Sequence, residues 1–272
     1  MNFITFTEMI GSKGENISKR VAAEMNYSYF GEQELFETAK KSGFLDDFKK
    51  LDEKGPTLLA KVFSERPKIY LDKLQAVIYE EAQKGDTVFF GRGSQLLLNA
   101  FGCALHVLVT GAEENRIQMV MERKRIDREI AEKIVAQSDN DRKGFIRFAF
   151  DEDWLNPKLY DLIINTDKLS VDSAVKLVVD AAKSDEIGAC GLDSIDLLGR
   201  LSLQRKVESA LLELDTSGSH VFMNVEDSET IRLTGLTDLA EKKDSIETNV
   251  KKIPGVRRVI NEIQVMQVAS QP

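Results

Sequence analysis

The chain has 272 residues, of which 42% are hydrophobic and 30% charged, and its net charge is −8. This is an ordinary globular composition, long enough for one large domain or two unequal ones, and too acidic for a general nucleic-acid binder. No apolar window is long enough to span a membrane, and no basic segment leads into an apolar core as a secretory signal would, so a cytoplasmic protein is expected.

Residues 2–7, Asn-Phe-Ile-Thr-Phe-Thr, open the chain as a short apolar run and predict a strand. Gly11-Ser-Lys-Gly14 follows as a turn, and residues 15–26 place Ile17, Val21, Ala22 and Met25 on one helical face. Helices are predicted at 32–43 and 68–84, the second closing on Gly85. The interval 31–85 is therefore an insertion between strands. Further strands are expected at 87–90, 104–110 and 160–165, each apolar enough to be covered on both faces. Helices at 93–99, 112–123, 128–138, 140–149 and 171–183 lie between or after them. Strands alternating with helices predict a three-layer α/β domain around a parallel sheet, with helices on both faces.

The pattern changes after Lys183. Residues 184–200, with Gly188, Gly191 and Gly199, read as a linker that has room for a short helix. A compact pattern follows: a helix at 202–214, strands at 221–225 and 230–234, a helix at 238–252 and a strand at 256–265. The expected division is thus 1–183, a linker over 184–200, and a small α/β domain over 201–268.

The two cysteines, Cys103 and Cys190, are far apart and lie outside any CxxC spacing. Free thiols are expected, and zinc has too few ligands. His106 sits inside an apolar strand and reads as a core residue, while His220 has no catalytic partner near it in sequence. No metal-ligating cluster is expected.

The chemistry concentrates at the first turn. A strand, a glycine turn and a helix N-terminus together form an anion site, because unpaired backbone N–H groups and the helix dipole face the loop. Gly11, Ser12, Lys13, Gly14, Glu15 and Asn16 make up this loop. Further on, Arg92 follows a strand directly and is flanked by Gly91 and Gly93. It therefore projects from the carboxyl edge of the sheet, where open α/β sheets bind ligands. Arginine suits phosphate because its planar cation is permanent and forms paired hydrogen bonds.

With Gly11-Ser-Lys-Gly-Glu-Asn-Ile17, Val88-Phe-Phe-Gly-Arg-Gly93, Asp139-Asn-Asp-Arg142 and Tyr160-Asp-Leu-Ile-Ile-Asn-Thr166 in this order, the first 183 residues resemble the cytidylate kinase-like family of P-loop nucleotide kinases. The resemblance implies an ATP-dependent nucleoside monophosphate kinase using Mg2+. ATP would lie on Gly11–Asn16, and Arg92 with Gly91 and Gly93 would hold an acceptor such as CMP. Lys13, Arg123 and Arg142 would act on the phosphoryl group in transfer. Asp139 and Asp141 would orient the lid arginines or cap a helix before Gly144. Asn165 and Thr166 would either touch nucleotide or form a turn, and Trp154, Phe145, Phe148 and Phe150 would pack the lid.

The loop departs from the full Gly-x-x-x-x-Gly-Lys-Ser/Thr pattern. Glu8 falls where the first glycine belongs, Gly14 where the lysine does and Asn16 next to the place of the hydroxyl, while Lys13 is one residue early. A catalytically inactive nucleotide sensor or scaffold is the alternative. Lys206-Val-Glu-Ser-Ala-Leu211, Ile231-Arg-Leu-Thr-Gly235 and Ile253-Pro-Gly-Val-Arg-Arg-Val-Ile-Asn261 resemble a BON domain, which implies a lipid or protein partner and no catalytic residues.

Overall fold

The computed structural model describes residues 2–43, 66–214 and 219–266. By contact clustering the chain forms two compact units, one within Met1–Leu59 and Lys84–Gly191, the other within Ala60–Gln83 and Leu192–Pro272.

The first unit is built on a five-stranded parallel sheet in the order β2-β3-β1-β4-β5. Its strands are β1 (Phe3–Glu8), β2 (Ser28–Phe30), β3 (Thr87–Phe90), β4 (Ala104–Thr110) and β5 (Leu162–Asn165). The central strand β1 is buried along its whole length, so its alternating side chains feed two cores. Ile4 and Phe6 join Val88, Val107 and Ile164 against α1 (Gly14–Met25) and α7 (Val171–Ala182), which contribute Ile17, Val21, Ala174 and Val178. On the opposite face Phe3 meets Phe89 and Phe101 edge-on, and Phe30 meets Phe89 in the same way. A sheet covered on both faces explains why β1, β3 and β4 read as unbroken apolar runs.

The remaining helices of this unit are α2 (Glu32–Lys41), α4 (Ser94–Leu97), α5 (Glu113–Lys124) and α6 (Arg128–Phe150). Three expectations are corrected here. Residues 128–150 form one helix, not two. Gly144 lies within it, and Asn140 and Lys143 face solvent while Ala131, Val135, Phe145 and Ile146 are buried. The last strand starts at Leu162 and is an edge strand with Ile163 about half exposed, so it is covered less completely than its composition suggests. Finally, Cys103 and Cys190 are joined in a disulfide, with Cα atoms 5.2 Å apart and 87 positions between them in sequence. Sequence spacing could not reveal this, because the fold returns the segment after α7 to the loop before β4.

The second unit pairs α3 (Arg66–Gln83) with α8 (Leu192–Glu213) in antiparallel fashion. Gln83 donates to the Ile195 carbonyl at one end, while Lys73 pairs with Glu213 at 2.5 Å at the other. Between them Glu80 pairs with Lys206. Part of the segment expected as linker is therefore the first turns of a long helix, buried at Leu198. A three-stranded sheet completes the unit: β6 (His220–Val225) runs antiparallel and β8 (Arg258–Val265) parallel to the central β7 (Thr230–Thr237). Leu203 and Val207 of α8 pack with Ile231, Leu233, Ile263 and with Ile246 and Val250 of α9 (Ala240–Lys251). Gly235 has φ +122°, and a Cβ there would lie 2.0 Å from the His220 carbonyl oxygen, so only glycine lets β6 and β7 pair at this point.

Asp72 is buried between α3 and α8, 3.5 Å from Arg205. Burial, aided by the Glu208 carboxylate, pushes its carboxyl up to about 6 against the opposing charges of Arg205 and Lys68. The folded chain therefore holds a proton that the unfolded chain has released. The stability this provides is complete below about pH 4 and is lost as pH rises through about 6. Asp72→Asn is expected to match wild type near pH 4.5 and to exceed it by about 1–3 kcal/mol at pH 8, read from urea denaturation at both pH values. A wild-type advantage at pH 8 would contradict this account. For the disulfide, Cys190→Ser is expected to cost about 2–4 kcal/mol, as the bond closes a long loop. Thiol titration of the unreduced, denatured wild type should find no free thiol.

Candidate functional site

β1 delivers its last residue, Glu8, to the foot of the glycine turn. The Met9 N–H bonds the Val109 carbonyl, and the Ser12 N–H bonds the Met9 carbonyl, so the turn is tied to β4. Gly11 has φ +87°, and a Cβ there would come within 2.5 Å of the Arg116 carbonyl oxygen. The turn is thus pressed against the backbone of α5. Lys13 is the residue before α1 and takes the left-handed conformation, with φ +68°.

The anion site at the start of α1 is filled from within. The buried Glu8 carboxylate accepts the Glu15 N–H at 3.0 Å, and the Gly14 N–H also bonds it. A Cβ on Gly14 would lie 2.6 Å from the Cβ of Glu8 and 2.8 Å from its Oε2, so this arrangement requires a glycine at 14. Burial pushes the Glu8 carboxyl up, and the charge of Arg142 and the two amide bonds act in the opposite direction. Read from sequence, Glu8 is a group that repels phosphate. In the structure it takes up an amide at the helix start itself.

The other loop residues are engaged too. Ser12 is buried, its hydroxyl donating to the Val109 carbonyl at 3.1 Å, and its own carbonyl accepts from Thr166 Oγ1 at 2.9 Å. Glu15 pairs with Lys19 and with Arg123, each at 2.9 Å, and these hydrogen bonds hold its carboxyl below the usual range. Asn16 is exposed. Among the described residues no cluster of three acidic, histidine or cysteine side chains could hold a metal ion. With Glu8 on the helix amides, the loop in this conformation does not fit the triphosphate of ATP or its Mg2+.

The second half of the site is better prepared for a ligand. Gly91, Arg92 and Gly93 are all left-handed, with φ of 77°, 58° and 74°. Arginine in this region carries a strain of about 1 kcal/mol, which persists only where the surroundings fix it. The turn sets the guanidinium in a buried position, 3.8 Å from Glu32 at the start of α2. A Cβ on Gly93 would lie 2.4 Å from the Phe150 ring, so the turn and the end of α6 close on each other. Arg142, from the middle of α6, stacks near Trp154, 6.0 Å from the ring. Arg92, Arg142, Glu8, Thr7, Gln95 and Trp154 line one cavity of about 30 Å³. That volume suits a water molecule and not a nucleoside.

The structure therefore joins Arg92 and Arg142 with Glu8 in one cleft, and places Arg123 on the other side of the loop at Glu15. Asp139 does not cap a helix; it holds buried Arg116 through two bonds of 3.1 and 2.9 Å. Asp141 accepts from Gln137 one turn earlier on α6. Asn165 forms a turn by accepting the Asp167 N–H at 2.8 Å, and Thr166 ties β5 to the glycine turn. His106 is a sheet residue, with Nδ1 2.8 Å from Thr5 Oγ1 and a pKa held down by burial. Trp154 and Phe145 are buried beside the cleft as expected. The residue sequence reasoning missed is Glu8 as an internal ligand; its signal was the pairing of Glu8 with a glycine six residues on.

The structure resembles that of an uncharacterised protein from Eubacterium ventriosum ATCC 27560, with a TM-score of 0.55 and 20% identity over 68% of this chain and 99% of that one. A shikimate kinase from Bacteroides thetaiotaomicron (TM-score 0.43, 12% identity, 67% and 99% covered) and a gluconokinase from Sinorhizobium meliloti 1021 (0.41, 12%, 66% and 91%) are more distant. No curated protein matches the chain. The model of the cytidylate kinase-like family matches residues 3–168, more than half of the sequence. The chain belongs to the cytidylate kinase-like family.

Proposed function

We propose that the N-terminal unit is a nucleoside monophosphate kinase whose acceptor is a pyrimidine nucleotide such as CMP, with ATP and magnesium as the family's donor system. The observation that carries this reading is the shared cleft of Arg92 and Arg142 at the carboxyl edge of the sheet. Two guanidinium groups walled by Trp154 and Phe145 offer charge for a phosphate and apolar area for a base. Arg92 is fixed by its turn and would hold the acceptor phosphate. Arg142 travels with α6 and would follow the ligand as the cleft opens and closes, excluding water when closed. Arg123, more exposed and bonded to Glu15, would reach the loop from α5. Bound ATP would supply the phosphoryl group, and residues 11–16 mark the family's place for it.

The second reading is a nucleotide sensor or scaffold that does not transfer phosphate. It is favoured by the internal bonds of Ser12 and Glu8 and by the displaced Lys13. In the second unit, Leu192–Glu213, His220–Val225, Thr230–Thr237, Ala240–Lys251 and Arg258–Val265 are helix, strand, strand, helix and strand in that order, which supports a BON-like module binding lipid or protein.

A coupled assay with ATP, magnesium and a panel of nucleoside monophosphates tests the kinase directly. Wild type is expected to turn over CMP, and Arg92→Ala to lose at least a hundredfold in kcat/KM, about 3 kcal/mol of transition-state stabilisation. If no nucleotide turns over but CMP still raises the melting temperature, the sensor reading holds instead. For the C-terminal module, the full chain should co-sediment with anionic phospholipid vesicles; free chain at all lipid concentrations would count against lipid binding.

A further inference from the structure

Three features of the loop have no separate explanation: an acid at the end of β1, a glycine where the family pattern has lysine, and a closed cleft. One arrangement accounts for all three. A buried carboxylate needs hydrogen-bond donors, and the first amides of α1 supply them at Gly14 and Glu15. The carboxylate can reach those amides only because position 14 has no Cβ. Arg142 lines the same cavity from α6, and its charge acts on Glu8.

We propose that Glu8 is a built-in stand-in for the donor phosphate: it occupies the phosphate cradle of α1 and must leave before an oligophosphate binds. The proposal rests on reading residues 11–16 as the family's phosphate loop. A monoanionic carboxylate is a weak competitor for a multiply charged phosphate at such a site. Its position is also held against desolvation, since burial disfavours the charged form of Glu8. Swinging the side chain out to water would relieve that penalty and leave two amides and an arginine facing the incoming anion. Glu8 is thus a positioning residue that sets oligophosphate affinity.

The test uses inorganic pyrophosphate and needs no turnover. Wild type, Glu8→Gln, Glu8→Ala and Glu24→Gln are titrated with pyrophosphate at fixed ionic strength, and binding is followed by thermal shift and calorimetry. Glu24 is exposed on the same helix, so its variant controls for the loss of one negative charge. Glu8→Ala is expected to bind at least tenfold more tightly than wild type, with Glu8→Gln between them and Glu24→Gln unchanged. Without anion, Glu8→Ala should melt lower than wild type, and pyrophosphate should restore it. The proposal is overturned if neither Glu8 variant gains affinity while circular dichroism shows Glu8→Gln folded, or if Glu24→Gln gains as much. Tighter pyrophosphate binding by Glu8→Ala with no turnover in any variant would sustain this inference and sink the kinase. Turnover by wild type without that gain would do the reverse.

Discussion

The bond between the Glu8 carboxylate and the first amides of α1 is the constraint around which the N-terminal unit is arranged. A helix N-terminus carries the equivalent of about half a positive charge, and its first N–H groups have no partner within the helix. Burying that end beside a parallel sheet leaves donors that something must satisfy. In this chain the partner comes from the strand itself. Once Glu8 takes that place, Gly14 cannot carry a side chain, and Arg142 finds an acid within the field of its charge.

The two halves of the cleft are built on different principles. Around Arg92 the backbone is left-handed across three successive residues, strained at Arg92 and free of strain at the glycines on either side, so a cation is aimed into a small aromatic-walled space. Strain of this kind is maintained by the packing of the surrounding turn, here by Phe150 against Gly93. Around the glycine turn nothing is left waiting. The Ser12 hydroxyl is spent on β4, its carbonyl on Thr166, and Glu15 on Lys19 and Arg123. One side of the cleft presents a fixed cation, and on the other Ser12, Glu8 and Glu15 are bonded within the chain.

Most of the architecture could be read from the sequence because it depends on local periodicity. Apolar runs bounded by glycine or polar residues gave β1, β3 and β4, and 3.6-residue spacing gave α1, α3 and α7. What escaped detection depends on distance in sequence. β2 is three residues long and half polar, too short for any pattern, and exists because β3 lies beside it. The helix break expected near residue 139 is absent, and residues buried against the fold recur on both sides of it. The partners of α3 are more than a hundred positions away on α8, and those of Cys103 lie 87 positions on. The arginines were legible as candidates because glycine flanks and a strand end restrict what Arg92 can do. Arg116 and Arg123 have the same residue type and similar surroundings in sequence, yet one is buried on Asp139 and the other lies at Glu15. Only the fold separates them.

The charge balance of the loop explains why its departures from the phosphate-loop pattern occur together. A loop with a free lysine and no nearby acid is strongly cationic and is stabilised by the anion it binds. Here three cations near α1 face acids of the chain: Arg123 and Lys19 share Glu15, and Arg142 lies in the field of Glu8. Restoring one member alone would unbalance the set. Lysine at 14 would bring a side chain into the space that Glu8 fills, and glycine at 8 alone would leave two buried amides without an acceptor. The acid at 8 and the glycine at 14 therefore belong to a single solution of the same packing and charge problem.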